Sequence, residues 1–157
     1  MPLNHVVLEV TETVFFGGSD SLVSESVKRL RSRGLRVALD DFGTGYASLT
    51  HLQTFPVDVI KIDKCFVDRL VGDPTGEVIV AALIDIARKL GMRTVAEGVE
   101  TEAQAKRLHE LGCTLGQGFW FYRPASFQET TERLLDKAQW VGKESEKADA
   151  LRRRNVA

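Results

Sequence analysis

Strand-like and helical segments alternate five times along this chain of 157 residues, and that order limits the folds open to it. Short runs of apolar and β-branched residues mark the strands, and apolar residues three and four positions apart mark the helices. The predicted strands cover residues 6–11, 36–41, 59–63, 93–97 and 114–121, and helices are predicted near residues 22–30, 47–53, 76–90, 102–111 and 126–137. Such alternation is typical of a parallel sheet covered by helices.

Polar residues near the carboxyl ends of the strands distinguish a closed (β/α) barrel from an open, doubly wound sheet. These residues are Glu9, Glu12, Asp40, Asp41, Lys61, Asp63, Glu97, Glu100 and Gln117. A barrel brings all of its strand ends to one mouth, whereas an open sheet usually brings together only two or three. No glycine-rich nucleotide-binding motif follows any strand. The sequence therefore favours the barrel.

The composition argues against several classes of protein. A hydrophobic share of 43% and a charged share of 27% are typical of a globular domain. A formal net charge of -1 gives no basic surface for nucleic acid, so no such partner is expected. Cys65 and Cys113 lie far apart, as do the three histidines, which argues against a zinc site. No apolar run approaches the roughly 20 residues that span a bilayer, so we expect a soluble, cytoplasmic protein without a membrane partner.

Asp40 and Asp41 stand where the second strand ends, and by themselves they fit a helix cap as well as a metal site. Strand alternation, however, allows Glu9, Lys61 and Glu97 to point toward the same place as Asp40. Carboxylates packed this closely repel each other unless cations neutralise them. Oxygen ligands without histidine or cysteine select hard ions, which predicts Mg²⁺ or Mn²⁺, with Ca²⁺ as a competitor.

Lys61 has two interpretations at this stage. It could position an attacking water or neutralise phosphate charge beside a pair of metal ions. It could also form an internal ion pair with Asp63. Another Mg²⁺-dependent barrel enzyme, with an enolase-like arrangement of carboxylates and a lysine, is an alternative that the order of the motifs argues against.

Five motifs occur in a fixed order between residues 6 and 127. They are Leu8-Glu9-Val10-Thr11-Glu12, Asp40-Asp41-Phe42-Gly43-Thr44-Gly45, Ile60-Lys61-Ile62-Asp63, Ala96-Glu97-Gly98-Val99-Glu100-Thr101 and Gln117-Gly118-Phe119. This combination resembles the EAL domain phosphodiesterases, which hydrolyse the bacterial second messenger cyclic di-GMP to linear pGpG. The resemblance implies a TIM-like barrel, Mg²⁺ or Mn²⁺ as cofactor with Ca²⁺ as an inhibitory competitor, and cyclic di-GMP as ligand.

The resemblance also implies roles for individual residues. Glu9, Asp40 and Asp41 look like metal ligands, Lys61 like the residue that holds the attacking water, and Glu97 like a metal-site acid or base.

Four further residues look like supporting or substrate-site residues: Glu12, Asp63, Glu100 and Gln117. Glu12 resembles the glutamate that braces the loop after the aspartate pair. That loop, Asp41 to Leu49, resembles the element that links dimerisation to metal binding.

The chain also departs from the family pattern. The family's Glu-Ala-Leu motif, whose glutamate binds metal, is absent, as are a nearby arginine and an asparagine ligand. We therefore expect an incomplete barrel, with five strand-helix units that correspond to strands 4 to 8. Residues 1–138 would form this truncated EAL domain, and residues 139–157 a charged tail or helix.

Truncation has two expected consequences. The first and last strands keep exposed edges, which predicts a homo-oligomer formed through those edges or through the 41–49 loop. The incomplete ligand set predicts weak or absent phosphodiesterase activity in the isolated chain. The alternative is a catalytically silent remnant that acts as a binding or oligomerisation module.

Overall fold

A five-stranded parallel sheet forms the centre of the computed structural model, which describes residues 3–11, 20–43, 52 and 56–135. The strands are β1 (Val7–Thr11), β2 (Arg36–Phe42), β3 (Val59–Ile62), β4 (Arg93–Ala96) and β5 (Leu115–Gly116). Their order in the sheet follows their order in the chain, and each neighbouring pair is parallel. All strands therefore present their carboxyl ends on the same side.

Helices follow the strands, and several of them begin at polar caps. They are α1 (Asp20–Arg31), α2 (Lys64–Asp68), α3 (Pro74–Lys89), α4 (Glu102–Glu110) and α5 (Phe127–Leu135), and a short 3-10 helix covers Leu3–His5. Asp73 caps α3 by accepting a hydrogen bond from the backbone amide of Thr75, with proline at the first helical position. None of these described helices is long and apolar enough to cross a membrane.

The chain divides into two compact units, Met1–Tyr122 and Arg123–Ala157. The first contains the sheet and α1 to α4. In the second, Ser126 and Glu129 cap α5 reciprocally, since each side chain accepts a hydrogen bond from the other residue's backbone amide. Residues 136–157, including the expected tail, lie outside the described residues, so the predicted boundary after residue 138 stays a prediction.

The core of the first unit lies against the inner strands. β3 is buried along its whole length, as expected of a central strand in a parallel sheet. One cluster packs β3 and β4 against the helices α2, α3 and α4, and it contains Ile62, Val67, Leu70, Val80, Ile84, Ala96, Val99, Leu108 and Cys113. A second contains Leu39, Phe42, Leu52, Val57, Ile60 and Ala87. Burial of these side chains fixes the strands that carry the polar residues.

The predicted alternation is confirmed, with differences in detail. The fifth strand was predicted over residues 114–121, but β5 contains two residues only. Gly118 has a φ of 155°, and the amide of Phe121 donates to its carbonyl oxygen, so the chain turns there instead of continuing as a strand. Helix α2 was not predicted because five residues carry too little periodicity. The predicted helix 47–53 lies outside the described residues, except for Leu52.

Candidate active site

Lys61 lies at the centre of a cluster of carboxylates at the carboxyl end of the sheet. Its side chain is 8% exposed. Its Nζ atom is 2.9 Å from Glu9, 3.0 Å from Asp40 and 2.8 Å from Glu97. A lysine ammonium has three N–H donors, so each carboxylate can accept one. Residues from the first four strand-helix units therefore meet at one ammonium group.

The neighbouring carboxylates also set the charge of Lys61. Burial by itself lowers the pKa of Lys61, because it disfavours the charged form. Hydrogen bonds to Glu97, Glu9 and Asp40 outweigh burial and hold this pKa above its usual value. The side chain therefore stays a cation at neutral pH. As a cation it can hold or orient anionic groups there.

A β-bulge explains how the adjacent residues Asp40 and Asp41 can serve the same site. Leu39 pairs with Ile60 and Phe42 pairs with Ile62, so two residues of β2 lie opposite Lys61 alone. Asp41 has a φ of 56°, a left-handed conformation that aspartate tolerates better than most residues. The extra residue interrupts the alternation of side chains between the two sheet faces.

Asp40, Asp41 and Glu97 together could hold a metal ion. Each offers a carboxylate oxygen, and these oxygens lie within 4.8 Å of one another. Oxygen ligands on opposite sides of an ion stand about 4 Å apart for Mg²⁺ and about 5 Å apart for Ca²⁺. The spacing of these oxygens therefore suits Ca²⁺ as it stands and Mg²⁺ after a small closure. With Glu9, the cluster contains four carboxyl groups and one ammonium group, so a bound cation would neutralise the remaining negative charge. The donor set, all oxygen, fits a hard divalent cation.

A second group of charged side chains lies beside this cluster. Lys64, at the start of α2, contacts Glu100 at 3.1 Å and Asp68 at 2.7 Å. Asp63 caps α2 by accepting a hydrogen bond from the amide of Cys65 at 2.9 Å. Hydrogen bonds from the Cys65 thiol and from the Cys65 backbone amide lower the pKa of Asp63. Asp63 thus starts the helix that carries Lys64, while the ion pairs of Lys61 are with Glu9, Asp40 and Glu97.

The remaining predicted residues differ in how far the structure describes them. The backbone of Gln117 donates to Ala96 at 2.8 Å and accepts from Val99 at 3.0 Å, which places it beside the loop after β4. Its side chain is exposed. Glu12 and residues 44–49 of the predicted dimerisation loop lie outside the described residues. Their roles stay predictions.

Sequence reasoning missed two residues of this region, Lys64 and Gln104. Lys64 gave no signal beyond its place after the third strand. Gln104 stands three residues after Thr101, a capping-box spacing that the structure shows to be formed. Such spacing predicts a helix start, but it does not reveal that the glutamine is buried.

Comparison with known proteins identifies the family. A model described as the EAL domain matches residues 1–124. This chain belongs to the EAL domain family. The probable cyclic di-GMP phosphodiesterase PdeG of Escherichia coli K12 is 41% identical over 133 residues, which are 85% of this EAL chain and 26% of PdeG. The cyclic di-GMP phosphodiesterase RocR of Pseudomonas aeruginosa is 40% identical over 124 residues, 79% of this chain and 31% of RocR. The chain thus spans about a quarter to a third of these relatives.

Solved EAL structures have the same fold. The crystal structure of the EAL domain of Mycobacterium smegmatis DcpA matches with a TM-score of 0.81 and 40% identity, covering 86% of this chain and 60% of that one. A manganese and cyclic di-GMP complex of Klebsiella pneumoniae BlrP1 matches with a TM-score of 0.73 and 38% identity, covering 80% and 32%. The similarity confirms the predicted α/β fold, a five-stranded part of a TIM-like barrel.

Proposed function

We propose that this EAL chain supplies the metal-binding side of a phosphodiesterase centre for cyclic di-GMP. The observation that carries the proposal is the meeting of Glu9, Asp40 and Glu97 at the buried ammonium of Lys61. This arrangement requires strand ends to converge, and isolated surface acids would not produce it. Divalent cations stabilise displacement at a phosphodiester, and a lysine beside them can neutralise phosphate charge, so a phosphodiester is the substrate class that we propose. A cytoplasmic location is part of this proposal.

Divalent metal is the cofactor we propose, with Mg²⁺ or Mn²⁺ as the active ion. The BlrP1 protein was solved with manganese and also with calcium, each together with cyclic di-GMP. In this chain Asp40, Asp41 and Glu97 would hold the ion, with Glu9 beside them. A bound divalent ion supplies a nucleophilic water at neutral pH and stabilises charge on the phosphodiester. Ca²⁺ would compete for the same oxygens.

The protein's own groups orient this centre. The Lys61 ammonium holds the three carboxylates in register and offers positive charge where a phosphate or a water would be bound. Glu97, which is half-buried and follows β4, faces both Lys61 and the metal-binding oxygens. Its carboxylate is therefore the group we propose to accept or direct a proton from the attacking water.

We expect weak or no turnover by this chain alone. The family's Glu-Ala-Leu glutamate and its asparagine ligand are not in the sequence, and incomplete metal coordination costs affinity. Even the loss of an outer-shell partner costs about 10- to 100-fold. Binding of metal and of cyclic di-GMP should survive this loss better than catalysis.

Incubation of the purified chain with cyclic di-GMP and Mn²⁺ tests the proposal. Formation of linear pGpG that Glu97→Gln abolishes, and that the exposed-site control Glu132→Gln leaves unchanged, supports an enzyme. Metal-dependent binding of cyclic di-GMP without turnover supports a binding remnant. Absence of both, in a folded chain with millimolar Mn²⁺, refutes the proposed function.

The two edges of the sheet favour a second candidate function, an oligomerisation module. Among the described strands, β1 and β5 each have one neighbour, and both edges contain exposed apolar side chains such as Val7 and Leu115. Unpaired strand edges template pairing with another chain. We propose a second copy of this chain as the partner. Light scattering that gives a monomer mass at micromolar concentration would refute self-association.

A further inference from the structure

A buried glutamine on α4 connects the loop that carries two acids of the site to the neighbouring helix α2. Gln104 is 8% exposed. Its Oε1 atom accepts hydrogen bonds from the backbone amides of Glu100 at 2.9 Å and Thr101 at 3.0 Å. Its Nε2 atom donates to the carbonyl oxygen of Val67, in α2, at 3.3 Å. One side chain thus satisfies two donors at a helix start and reaches an acceptor on another helix.

We propose that Gln104 is a positioning residue for the acids Glu97 and Glu100, an inference that rests on the proposed function of the site. Both acids belong to the β4–α4 loop (residues 97–101). Glu97 contacts Lys61 at 2.8 Å, and Glu100 contacts Lys64 at 3.1 Å. The loop backbone determines the positions from which the side chains of Glu97 and Glu100 extend. The hydrogen bonds that hold the loop therefore also set the geometry of the acid cluster.

Backbone contacts hold the other side of the β4–α4 loop. The amide of Val99 donates to Gln117 at 3.0 Å, and the amide of Trp120 donates to Val99 at 2.9 Å. A Cβ atom added to Gly118 would lie 2.2 Å from the carbonyl oxygen of Val99, so the two backbones are in direct contact. Toward α2 the loop is held by the Gln104 side chain, together with the side chain of Lys64, which lies against Gly98.

Glutamine suits this position because it combines an acceptor and a donor in one rigid group. The two backbone amides belong to the start of α4, where the helix cannot satisfy them itself. Leucine at position 104 would remove the acceptor of the Glu100 and Thr101 amides and the donor to the Val67 carbonyl oxygen. Glutamate would keep the acceptor for the amides and lose the donor toward Val67, whose carbonyl also accepts from Leu70.

Two measurements on Gln104→Leu test the inference, with Asp73→Ala as a matched control. The control also removes a helix cap, at α3 and outside the acid cluster. The first measurement is amide hydrogen exchange at Val99, whose hydrogen bond goes to Gln117 and not to Gln104. We expect exchange there to be faster in Gln104→Leu, on the order of tenfold, and unchanged in the control.

The second measurement is Mn²⁺ affinity by calorimetry in a double-mutant cycle with Glu97→Gln. We expect Gln104→Leu to weaken Mn²⁺ binding on the order of tenfold in the wild-type background, the usual cost of losing an outer-shell partner. In the Glu97→Gln background the same substitution should have little further effect, because the positioned carboxylate is already gone. A purely structural role would weaken binding equally in both backgrounds and would overturn the inference.

The two measurements separate the inference from the proposed function. If the wild-type chain does not bind Mn²⁺, the proposed function fails, and Val99 exchange alone decides the positioning role. Unchanged Val99 exchange in Gln104→Leu overturns that role. If Gln104→Leu does not fold, Gln104→Glu replaces it in both measurements. We then expect a smaller increase in Val99 exchange, because the acceptor for the loop amides remains. Val99 exchange equal to that of the wild type would overturn the inference.

Discussion

Replacement of Lys61 by methionine removes the ammonium group that three carboxylates share while keeping a side chain of similar length. Removal of one partner from a buried ion pair costs about 3–5 kcal/mol, because the other charge is left uncompensated. The partners of Lys61 are less buried than the partners in a fully buried ion pair. Their side chains are 18% exposed for Glu97, 22% for Asp40 and 53% for Glu9. The pairs with Glu97 and Asp40 should each contribute about 1–1.5 kcal/mol. The pair with Glu9 should contribute less than about 0.5 kcal/mol.

Lys61→Met should therefore lower the free energy of unfolding by about 3 kcal/mol, measured by urea denaturation at pH 7 without divalent metal. For a chain of this size the melting temperature would fall by roughly 6–12 °C. The matched control is Lys64→Met, which removes an ammonium with two partners, Asp68 and Glu100. These side chains are about half exposed, so that loss should stay below about 1 kcal/mol.

Addition of Mn²⁺ extends the test of Lys61→Met. A cation at 100 times its dissociation constant adds about 2.7 kcal/mol to the folded state. Mn²⁺ should therefore recover most of the stability that Lys61→Met loses, and it should stabilise the Lys64→Met control no more than the wild type. Equal stability of Lys61→Met and wild type without metal would refute the view that this ammonium compensates the acid cluster.

Three further predictions concern residues outside the cluster. Burial by itself raises the pKa of Asp58, but hydrogen bonds from a guanidinium and a backbone amide outweigh burial and lower that pKa. Asp58→Asn should therefore lower the free energy of unfolding by about 2 kcal/mol at pH 7. When the free energy of unfolding is measured at decreasing pH, the difference between wild type and Asp58→Asn should disappear below about pH 4, because the stability that the ionised carboxylate contributes is lost there. Gly76→Ala should destabilise helix α3 in thermal melts although alanine is the better helix former, because the added Cβ would lie 2.5 Å from the carbonyl oxygen of Arg69. Cys65, although exposed, should react slowly with iodoacetamide at pH 7.5, because burial and Asp63 raise the pKa of its thiol to about 11.

The parallel sheet and the meeting of its acids could be predicted from the sequence because they follow from simple periodicity. Glu9 and Lys61 lie at positions that alternation places on one face, and the structure joins them at 2.9 Å. Asp41 is different, because strict alternation would turn it to the face opposite Asp40. Its approach to Asp40 and Glu97 depends on a bulge in β2, and a bulge depends on the register between two strands, which local sequence does not determine.

The part of the site around Gln104 could not be predicted for a related reason. Its spacing from Thr101 indicates a helix start, and that start is present. Its contact with Val67 joins residues 37 positions apart, so it depends on how α2 and α4 pack. The short β5 shows the same limit, because the apolar run after residue 114 fits a strand locally while Gly118 turns the chain.

The location of a bound divalent ion tests the central claim most directly. Crystals of the chain grown with Mn²⁺ would be measured at the manganese absorption edge, where anomalous scattering identifies the metal. We predict an anomalous peak bounded by carboxylate oxygens of Asp40, Asp41 and Glu97, and a clearly weaker peak in crystals of Glu97→Gln at the same Mn²⁺ concentration. A folded chain at saturating Mn²⁺ with no peak among these three residues, or with a peak unchanged by Glu97→Gln, would contradict the account.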